Sequence, residues 1–309
     1  MNAEVQMAPA LYHRSAHSRL ERIEYGDPTV QPEVTVVIPT LDGRRRGLLR
    51  KLLKDLGDQT LRRLEVLLIL GDRRQGRAIN RGVSEARAEI VVTMDDDTVI
   101  GTPRLLENLV QILERHPGIG MVGASTVIPQ DADWFQRAAS RQIPRRLFPV
   151  VESITDSDMV QHPCLGMRKE LFVELGGEDE ELIRGLDPLL RFKVRQAGYR
   201  VVIAPHTYIS HPLPNTYWEV LRMYYRNGRG SAFAQRHYPR RIYNLADGFR
   251  RNRFPARLAF PLRIARYPLR MLRSVLTGCW IRLSVEICYG AGYVYELCFA
   301  RRNNTSARP

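Results

Sequence analysis

The chain has 309 residues, of which 44% are hydrophobic and 26% charged, a composition typical of globular proteins. This composition excludes collagen-like, fully disordered and disulfide-stapled proteins. The net charge of +14 is concentrated at one end, because the segment from Arg222 to the C-terminus carries 18 arginines and three acidic residues. The sequence therefore predicts a nearly neutral body followed by a strongly cationic final third.

The four cysteines show no C-x-x-C spacing and no neighbouring histidine cluster, so neither a zinc site nor a disulfide framework is predicted. The N-terminus lacks a basic segment followed by an apolar run, which is the pattern of a secretory signal. No window of about 18–20 residues is free of charge, so no membrane span is predicted. We therefore expect a cytoplasmic protein.

The predicted elements alternate between strands and helices. Residues 1–31 are aperiodic and are predicted to be a poorly ordered lead-in. The apolar run 34–39 is typical of a buried strand, and leucines at helical spacing follow it between residues 48 and 56. Further strands are predicted at 65–70, 90–94 and 119–128, and further helices at 76–86 and 103–115.

Bare apolar strands that alternate with amphipathic helices predict an α/β fold, in which a doubly wound, mostly parallel sheet is covered by helices on both faces. Such sheets bind ligands beyond the carboxyl ends of their strands. The segments 39–43, 71–75 and 95–97 each follow a predicted strand. We expect these three segments to gather at one ligand-binding edge.

An acidic triplet, Asp95-Asp96-Asp97, follows the strand at 90–94 without an intervening turn residue. Side chains alternate along an extended chain, so Asp95 and Asp97 are expected to project to the same side. Two carboxylates held so close repel each other unless a proton or cation lies between them, and a divalent cation with oxygen ligands meets that need. The alternative is a solvated acidic loop.

Three segments in this order resemble glycosyltransferase family 2: Val34–Thr40, Ala78–Gly82 and Ile90–Asp97. The similarity continues through 168–172, Gly176-Gly177 and 186–200, and it covers about residues 34–230. Several weak motifs in the right order are more specific than any one of them. The resemblance implies a GT-A fold, a nucleotide-sugar donor and inversion of the anomeric centre.

The resemblance also implies where the donor and its cation bind. Asp97 is the expected direct ligand of Mn²⁺ or Mg²⁺, and Asp95 is expected near the ribose or the metal. His211 matches a late histidine that contacts the metal or the diphosphate. The other residues expected to contact the donor are Thr40, Asp42, Asp72, Arg77, Asn80 and Asp96. For the arginines between residues 73 and 77, the alternative is that they solvate a loop.

By the same resemblance, Asp187 is the expected general base that deprotonates the acceptor hydroxyl. Leu186 stands where the family has a glutamate. Because Asp187 precedes Pro188, it also fits a helix cap, and both roles are compatible.

In the final third, a helix is predicted from Tyr217 to Asn227, with a stop at the glycines that follow. Arg226 and Arg229 resemble a segment near the donor diphosphate and are expected to clamp it. Four arginines are spaced 3, 4 and 3 along a second helical segment, which Pro261 and Pro268 are expected to break into short helices. These arginines are Arg263, Arg266, Arg270 and Arg273.

A basic amphipathic segment with aromatic residues is typical of a helix that lies in a membrane interface. The alternatives are a solvated face, an oligomer interface through the C-terminal helices, and a groove for a polyanionic acceptor. Nucleic acid is the least favoured partner, because no nucleic-acid-binding motif accompanies the charge. We expect a peripheral protein at the inner face of the cell membrane.

Together these features predict three regions: a lead-in at 1–31, a GT-A catalytic domain at 32–215 and a basic helical region at 216–309. The predicted function is a metal-dependent inverting glycosyltransferase that transfers a sugar to a lipid-linked or polysaccharide acceptor. One alternative is a catalytically silent sugar-nucleotide-binding or scaffold protein. A sugar-1-phosphate nucleotidyltransferase is disfavoured, because the segment after the first strand has one glycine and no lysine between residues 41 and 46.

Overall fold

The computed structural model describes residues 18–143, 147–211, 213–237 and 260–299. Its strands are β1 Arg19–Tyr25, β2 Val34–Thr40, β3 Leu64–Leu70, β4 Ile90–Thr93, β5 Val99–Ile100, β6 Ile119–Val127, β7 Thr155–Asp156, β8 Leu165–Arg168 and β9 Arg200–Ser210. Its helices are α1 Leu48–Gly57, α2 Gln75–Glu85, α3 Leu105–Arg115, α4 Trp134–Gln142, α5 Lys169–Glu174, α6 Leu186–Gln196, α7 Tyr217–His237, α8 Phe260–Leu276 and α9 Trp280–Cys298, with a short 3₁₀ turn at Arg45–Gly47 before α1.

The strands form one mixed sheet in the order β1-β3-β2-β4-β8-β6-β9-β5, with β7 paired to β9. The strands β2, β3, β4, β6 and β9 run in the same direction, while β1, β5, β7 and β8 run against them. The same-direction strands include the longest central ones, and helices cover both faces of the sheet. The predicted α/β architecture is therefore confirmed. The carboxyl ends of β2, β3 and β4 meet at one edge, as parallel pairing requires.

Two hydrophobic cores lie on opposite faces of the sheet. On one face Val36 and Ile38 pack with apolar residues of α1 and α3. On the other face Val37 packs with residues of α2, α5 and α6. This division follows from the pleat, because successive side chains of β2 point to opposite faces. Burial on both faces explains why β2 and β3 are mostly apolar in sequence.

The predicted poorly ordered lead-in is wrong for residues 19–25. These residues form β1, which pairs antiparallel with β3 from Arg19 opposite Leu70 to Tyr25 opposite Leu64. The strand lies at the edge of the sheet and is only partly buried, so its sequence RLERIEY lacks the apolar run of a central strand. Residues 1–17 lie outside the described residues.

The C-terminal region differs from its prediction at two places. Helix α7 does not stop at its glycines but continues to His237, because these glycines allow a close helix crossing. A Cβ atom on Gly228 would lie 1.9 Å from the carbonyl oxygen of Tyr289, and one on Gly292 would lie 2.1 Å from that of Tyr225. Helix α8 also continues through Pro268 in its interior.

Contacts between α8 and α9 hold the proline-containing helix in place. The Tyr267 hydroxyl donates to the carbonyl oxygen of Glu286, and the Arg270 Nη2 lies 2.7 Å from the Glu286 carboxylate. Within the described ranges no helix is both long enough and apolar enough to cross a membrane. The side chain of Arg263, the first arginine of the predicted basic stripe, lies outside the described residues.

Candidate active site

Three side chains from two strand ends meet at the predicted edge of the sheet. Asp95 and Asp97 follow β4, and His211 follows β9. The His211 Nε2 lies 2.9 Å from the Asp97 Oδ1 and 3.5 Å from the Asp95 Oδ2. All three residues offer a ligand atom within 4.8 Å of the others, which is the spacing that one bound cation requires. Asp97 is buried, while Asp95 and His211 are partly open to solvent.

Arg45, a residue that was not predicted at the site, also contacts this cluster. The Arg45 Nη2 lies 2.6 Å from the Asp97 Oδ2, and its Nε lies 3.3 Å from the Asp96 Oδ1. Arg45 has a φ of +40°, a left-handed conformation that is costly for a residue with a Cβ atom. The Asp42 Oδ1 stabilises this turn, since it accepts hydrogen bonds from the backbone N–H groups of Arg44 and Arg45.

Burial and neighbouring charges shift the pKa values of the residues in this cluster. Burial alone would raise the pKa of Asp97, but His211 and Arg45 outweigh burial and hold this pKa well below its usual range. Burial alone would lower the pKa of His211, but the two carboxylates outweigh it and raise this pKa to about 9. Burial raises the pKa of Asp96, although its Oδ2 accepts a 2.7 Å hydrogen bond from the Thr40 hydroxyl.

Asp187 lies in the first turn of α6 but does not cap it. The N-cap residue is Gly185, which has a φ of +90°, so the expected cap role of Asp187 is wrong. Its Oδ1 instead accepts a 2.8 Å hydrogen bond from the backbone N–H of His162. The side chain keeps 30% of its surface exposed, so the carboxylate is open to a substrate hydroxyl.

Leu186 has a packing role in this structure. It is 3% exposed and belongs to a hydrophobic cluster with Leu182, Leu189 and Ala234, which joins α6 to α7. The leucine therefore anchors the helix that carries Asp187.

The other residues predicted to contact the donor divide into two groups. Thr40 lies at the cluster, because its hydroxyl donates to Asp96 and accepts from the backbone N–H of Gly43. Gln75, which was not predicted, donates from Nε2 to the Asp95 Oδ1 at 2.9 Å. Thr40, Asp42 and Gln75 are thus all connected to the acidic triplet or to the loop that carries Arg45.

The second group has its polar atoms engaged within the protein. Asp72 and Arg77 form a two-point ion pair at 2.7 and 2.8 Å, which leaves the Asp72 side chain 1% exposed. Asn80 is buried; its Nδ2 donates to Glu178 O and to the Glu180 carboxylate, and its Oδ1 accepts from Glu178 N. Asn80 therefore fixes the loop before α6 in place of its predicted contact with the donor.

The two arginines predicted to clamp the diphosphate have different surroundings in the structure. Arg226 is exposed on α7. The Arg229 Nε lies 2.9 Å from the Glu296 carboxylate, and its guanidinium lies over the Tyr295 ring at 5.1 Å. Arg229 therefore joins α7 to α9 in this structure, and its contact with the donor stays a prediction.

Arg45 and His162 are the main site residues that the sequence analysis missed. Arg45 lies in a run of three arginines, Arg44-Arg45-Arg46, and nothing in the sequence distinguishes the one that turns toward the triplet. His162 lies between two short strands, in a segment without periodicity.

Comparisons with known proteins identify the family of this chain. A family model described as "Glycosyltransferase like family 2" matches residues 9–230, which is more than half of the chain. The uncharacterized protein y4gI of Sinorhizobium fredii is 28% identical in an alignment of 160 residues that covers 43% of this chain. The matched region spans only 16% of that relative's length.

Two solved structures are also similar to this chain. The mannosyltransferase PcManGT from Pyrobaculum calidifontis, solved with GDP-Man and Mn²⁺, has a TM-score of 0.55 at 19% identity, and the match covers 88% of this chain and 89% of that one. S. aureus TarS 1-349 has a TM-score of 0.42 at 14% identity, with 89% of this chain and 93% of that chain covered. The likeness to PcManGT confirms the predicted GT-A fold. Because the family model spans most of the chain, this protein belongs to glycosyltransferase-like family 2.

Proposed function

We propose that this glycosyltransferase is metal-dependent and inverting, and that it transfers a sugar from a nucleotide-sugar to a hydroxyl of its acceptor. The observation that carries this proposal is the convergence of Asp95, Asp97 and His211 at the carboxyl edge of the sheet, with Asp187 linked to the same edge through His162. This is the edge at which open α/β sheets bind their ligands.

The cluster is suited to a divalent cation. Its carboxylate oxygens suit Mn²⁺, and a neutral imidazole would add a nitrogen ligand. In this structure Arg45 holds the Asp97 Oδ2 and the His211 Nε2 holds the Oδ1, so metal binding would require His211 to lose its ring proton. When bound, the cation would offset the negative charge that develops on the departing diphosphate. The Mn²⁺ in the PcManGT complex supports this assignment.

The residues of this chain then have separate roles. Asp187 accepts the proton of the acceptor hydroxyl while the hydroxyl oxygen attacks the anomeric carbon. The bond between that carbon and the diphosphate oxygen breaks, and the nucleoside diphosphate leaves on the opposite face, so the configuration inverts. A single base suffices for this displacement. Arg45 is placed to bind a donor phosphate oxygen, because its guanidinium is 55% exposed beside the cluster.

A thermal-shift panel of nucleoside diphosphates, with and without Mn²⁺, tests the proposal. We expect one nucleotide to stabilise the protein only when Mn²⁺ is present, since binding to the folded state raises the melting temperature. The silent binding or scaffold alternative shares this result but predicts no turnover, so Mn²⁺-dependent hydrolysis or transfer of the donor separates the two. A nucleotidyltransferase receives no support from the family match.

Arg45 gives a prediction about the donor. Arg45→Ala is expected to raise the donor KM by about tenfold or more, because a hydrogen bond to a charged group contributes about 1.5–3 kcal/mol. Steady-state kinetics at saturating Mn²⁺ measure the effect. Arg44→Ala is the matched control, as Arg44 is exposed in the same loop. A donor KM that falls in Arg45→Ala would contradict this role, since it would show that Arg45 competes with the cation.

We further propose that the acceptor is lipid-linked and that α8 docks on an anionic bilayer. Leu269, Leu272 and Leu276 are 65%, 55% and 76% exposed and recur at helical spacing. Exposed Arg266 and Arg273 lie on the same helix. The opposite face of α8 carries the buried Ser274 and the Tyr267 that contacts α9, so the leucines face away from the protein. Leucines flanked by arginines match acyl chains flanked by anionic headgroups.

The exposed tryptophans also support docking on a membrane. The chain has three, and all are largely exposed: Trp134 at 80%, Trp218 at 73% and Trp280 at 61%. Trp134 and Trp218 are joined through the rings of Phe135 and Tyr217, with edge contacts of 5.8–6.2 Å between ring centroids. Tryptophan prefers the interface between water and membrane. Attachment to the cytoplasmic face and an oligomer through the C-terminal helices stay predictions.

Vesicle sedimentation tests the docking surface. The double variant Leu272→Asp/Leu276→Asp is expected to lose at least about tenfold in binding to phosphatidylglycerol-containing vesicles, because the two leucines lose their apolar burial. Wild-type binding is expected to weaken with salt. Val173→Asp, an exposed apolar position on α5, is the control. Unchanged sedimentation would contradict the proposal. A shift from dimer to monomer without loss of vesicle binding would also contradict it, and would indicate that this face binds a second copy of the chain.

A further inference from the structure

His162 is a buried histidine that connects the separate parts of the candidate active site. It is 2% exposed. Its Nδ1 lies 2.9 Å from the hydroxyl oxygen of Thr93, the last residue of β4 and two residues before Asp95. Its Nε2 lies 2.9 Å from the Glu178 Oε1, in the loop before α6. Its backbone N–H donates to the Asp187 Oδ1 at 2.8 Å.

The hydrogen-bond partners of His162 accommodate a proton on each ring nitrogen. The Thr93 hydroxyl oxygen lies 2.9 Å from the Nδ1 and 3.3 Å from the carbonyl oxygen of His162, so this hydroxyl can donate to the carbonyl and accept from an Nδ1–H. The Nε2–H donates to the Glu178 carboxylate. A histidine that donates from both nitrogens is an imidazolium. Burial alone would lower the pKa of His162, but Asp187 and Glu178 outweigh burial and raise this pKa to about 9.

The surroundings of Asp187 leave one of its oxygens for substrate. Among the described residues, every contact of its carboxylate is made through Oδ1: the His162 N–H at 2.8 Å and the His162 Nε2 at 3.8 Å. The Oδ2 is therefore the oxygen that a hydroxyl can approach. The other charged groups that act on His162 or Asp187 are Glu178, Asp95 and Arg191.

We propose that His162 is a positioning residue, which holds Asp187 at a fixed distance from the metal cluster. The imidazolium is bonded to the end of the strand that carries the acidic triplet and to the loop that leads into α6. The same residue holds one oxygen of the base through its backbone N–H. Catalytic groups need this support, because a misplacement of about 1 Å can cost about a hundredfold in rate. This inference rests on the proposed function, in which Asp187 is the base.

The test is His162→Gln, which keeps an amide donor but removes the positive charge. We expect kcat to fall about 10- to 100-fold, while the donor KM and the Mn²⁺-dependent affinity for the nucleoside diphosphate stay within about twofold. The kcat is measured per folded protein, because a purely structural role would lower the melting temperature and leave the kcat of the folded enzyme unchanged.

A double-mutant cycle with Asp187→Asn makes the test sharper. If His162 acts through Asp187, His162→Gln adds little loss to a variant that already lacks the base. Losses that multiply fully, or a single variant with wild-type kcat, would overturn the inference while the proposed function stands. If the wild type shows no Mn²⁺-dependent nucleotide binding, the proposed function fails and this inference fails with it. His162→Asn, which keeps a donor toward Thr93, replaces the glutamine variant if that variant does not fold.

Discussion

Asp97→Asn is expected to reduce Mn²⁺-dependent transfer by about 10³-fold or more. The substitution keeps the size of the side chain but removes the charge of a carboxylate that lies 2.9 Å from the His211 Nε2 and 2.6 Å from the Arg45 Nη2. The loss corresponds to about 4 kcal/mol of transition-state stabilisation, which is a reasonable share for one metal ligand. Initial rates across a Mn²⁺ titration measure it, and the Mn²⁺-dependent thermal shift with nucleotide should disappear in parallel.

The fold should survive this substitution. Arg45 still has Asp96 as a partner, and His211 still has Asp95. Asp131→Asn makes the same charge change at an exposed position and is expected to behave as the wild type. If Asp97→Asn keeps its Mn²⁺ response while remaining folded, the cation does not bind at this cluster.

Asp187→Asn is expected to lower kcat by about 10²- to 10⁴-fold, the usual contribution of a general base. The donor KM should change little, because Asp187 contacts His162 and not the residues of the metal cluster. The asparagine oxygen can still accept the His162 N–H, so the local structure should be preserved. Steady-state kinetics with a saturating donor and a varied acceptor separate kcat from KM.

The control for the base is Glu181→Gln, an exposed carboxylate in the loop before α6. We expect this variant to keep the wild-type rate. A rate within about threefold of wild type for Asp187→Asn, at several pH values, would contradict the assignment of Asp187 as the base.

Much of the fold could be predicted, because burial imposes a pattern on the sequence. β2, β3 and β4 are buried on both faces, so they are mostly apolar and easy to recognise. β1 was missed because an edge strand needs little apolar surface. The continuation of α7 through Gly228 depends on the backbone of α9, which approaches within a distance that no side chain would allow. Such a long-range contact leaves no local pattern.

The candidate site, like the fold, could be predicted only in part. Asp95 and Asp97 could be placed at the ligand-binding edge because they follow a strand, and His211 was added to them by the family resemblance. The partners of individual side chains could not be predicted. Asp72 with Arg77, and Arg229 with Glu296, form ion pairs that depend on the turn of a loop or the packing of a distant helix. Arg45 reaches the triplet only because its backbone adopts a left-handed conformation.

The most direct test of the metal-dependent site is a crystal structure with Mn²⁺ and the nucleoside diphosphate that gives the largest thermal shift, measured with anomalous scattering from manganese. We expect one anomalous peak within about 2.5 Å of the Asp97 Oδ1 and the His211 Nε2, with diphosphate oxygens completing the coordination. A peak elsewhere, or a bound diphosphate with no manganese beside Asp97, would contradict a metal site at this cluster.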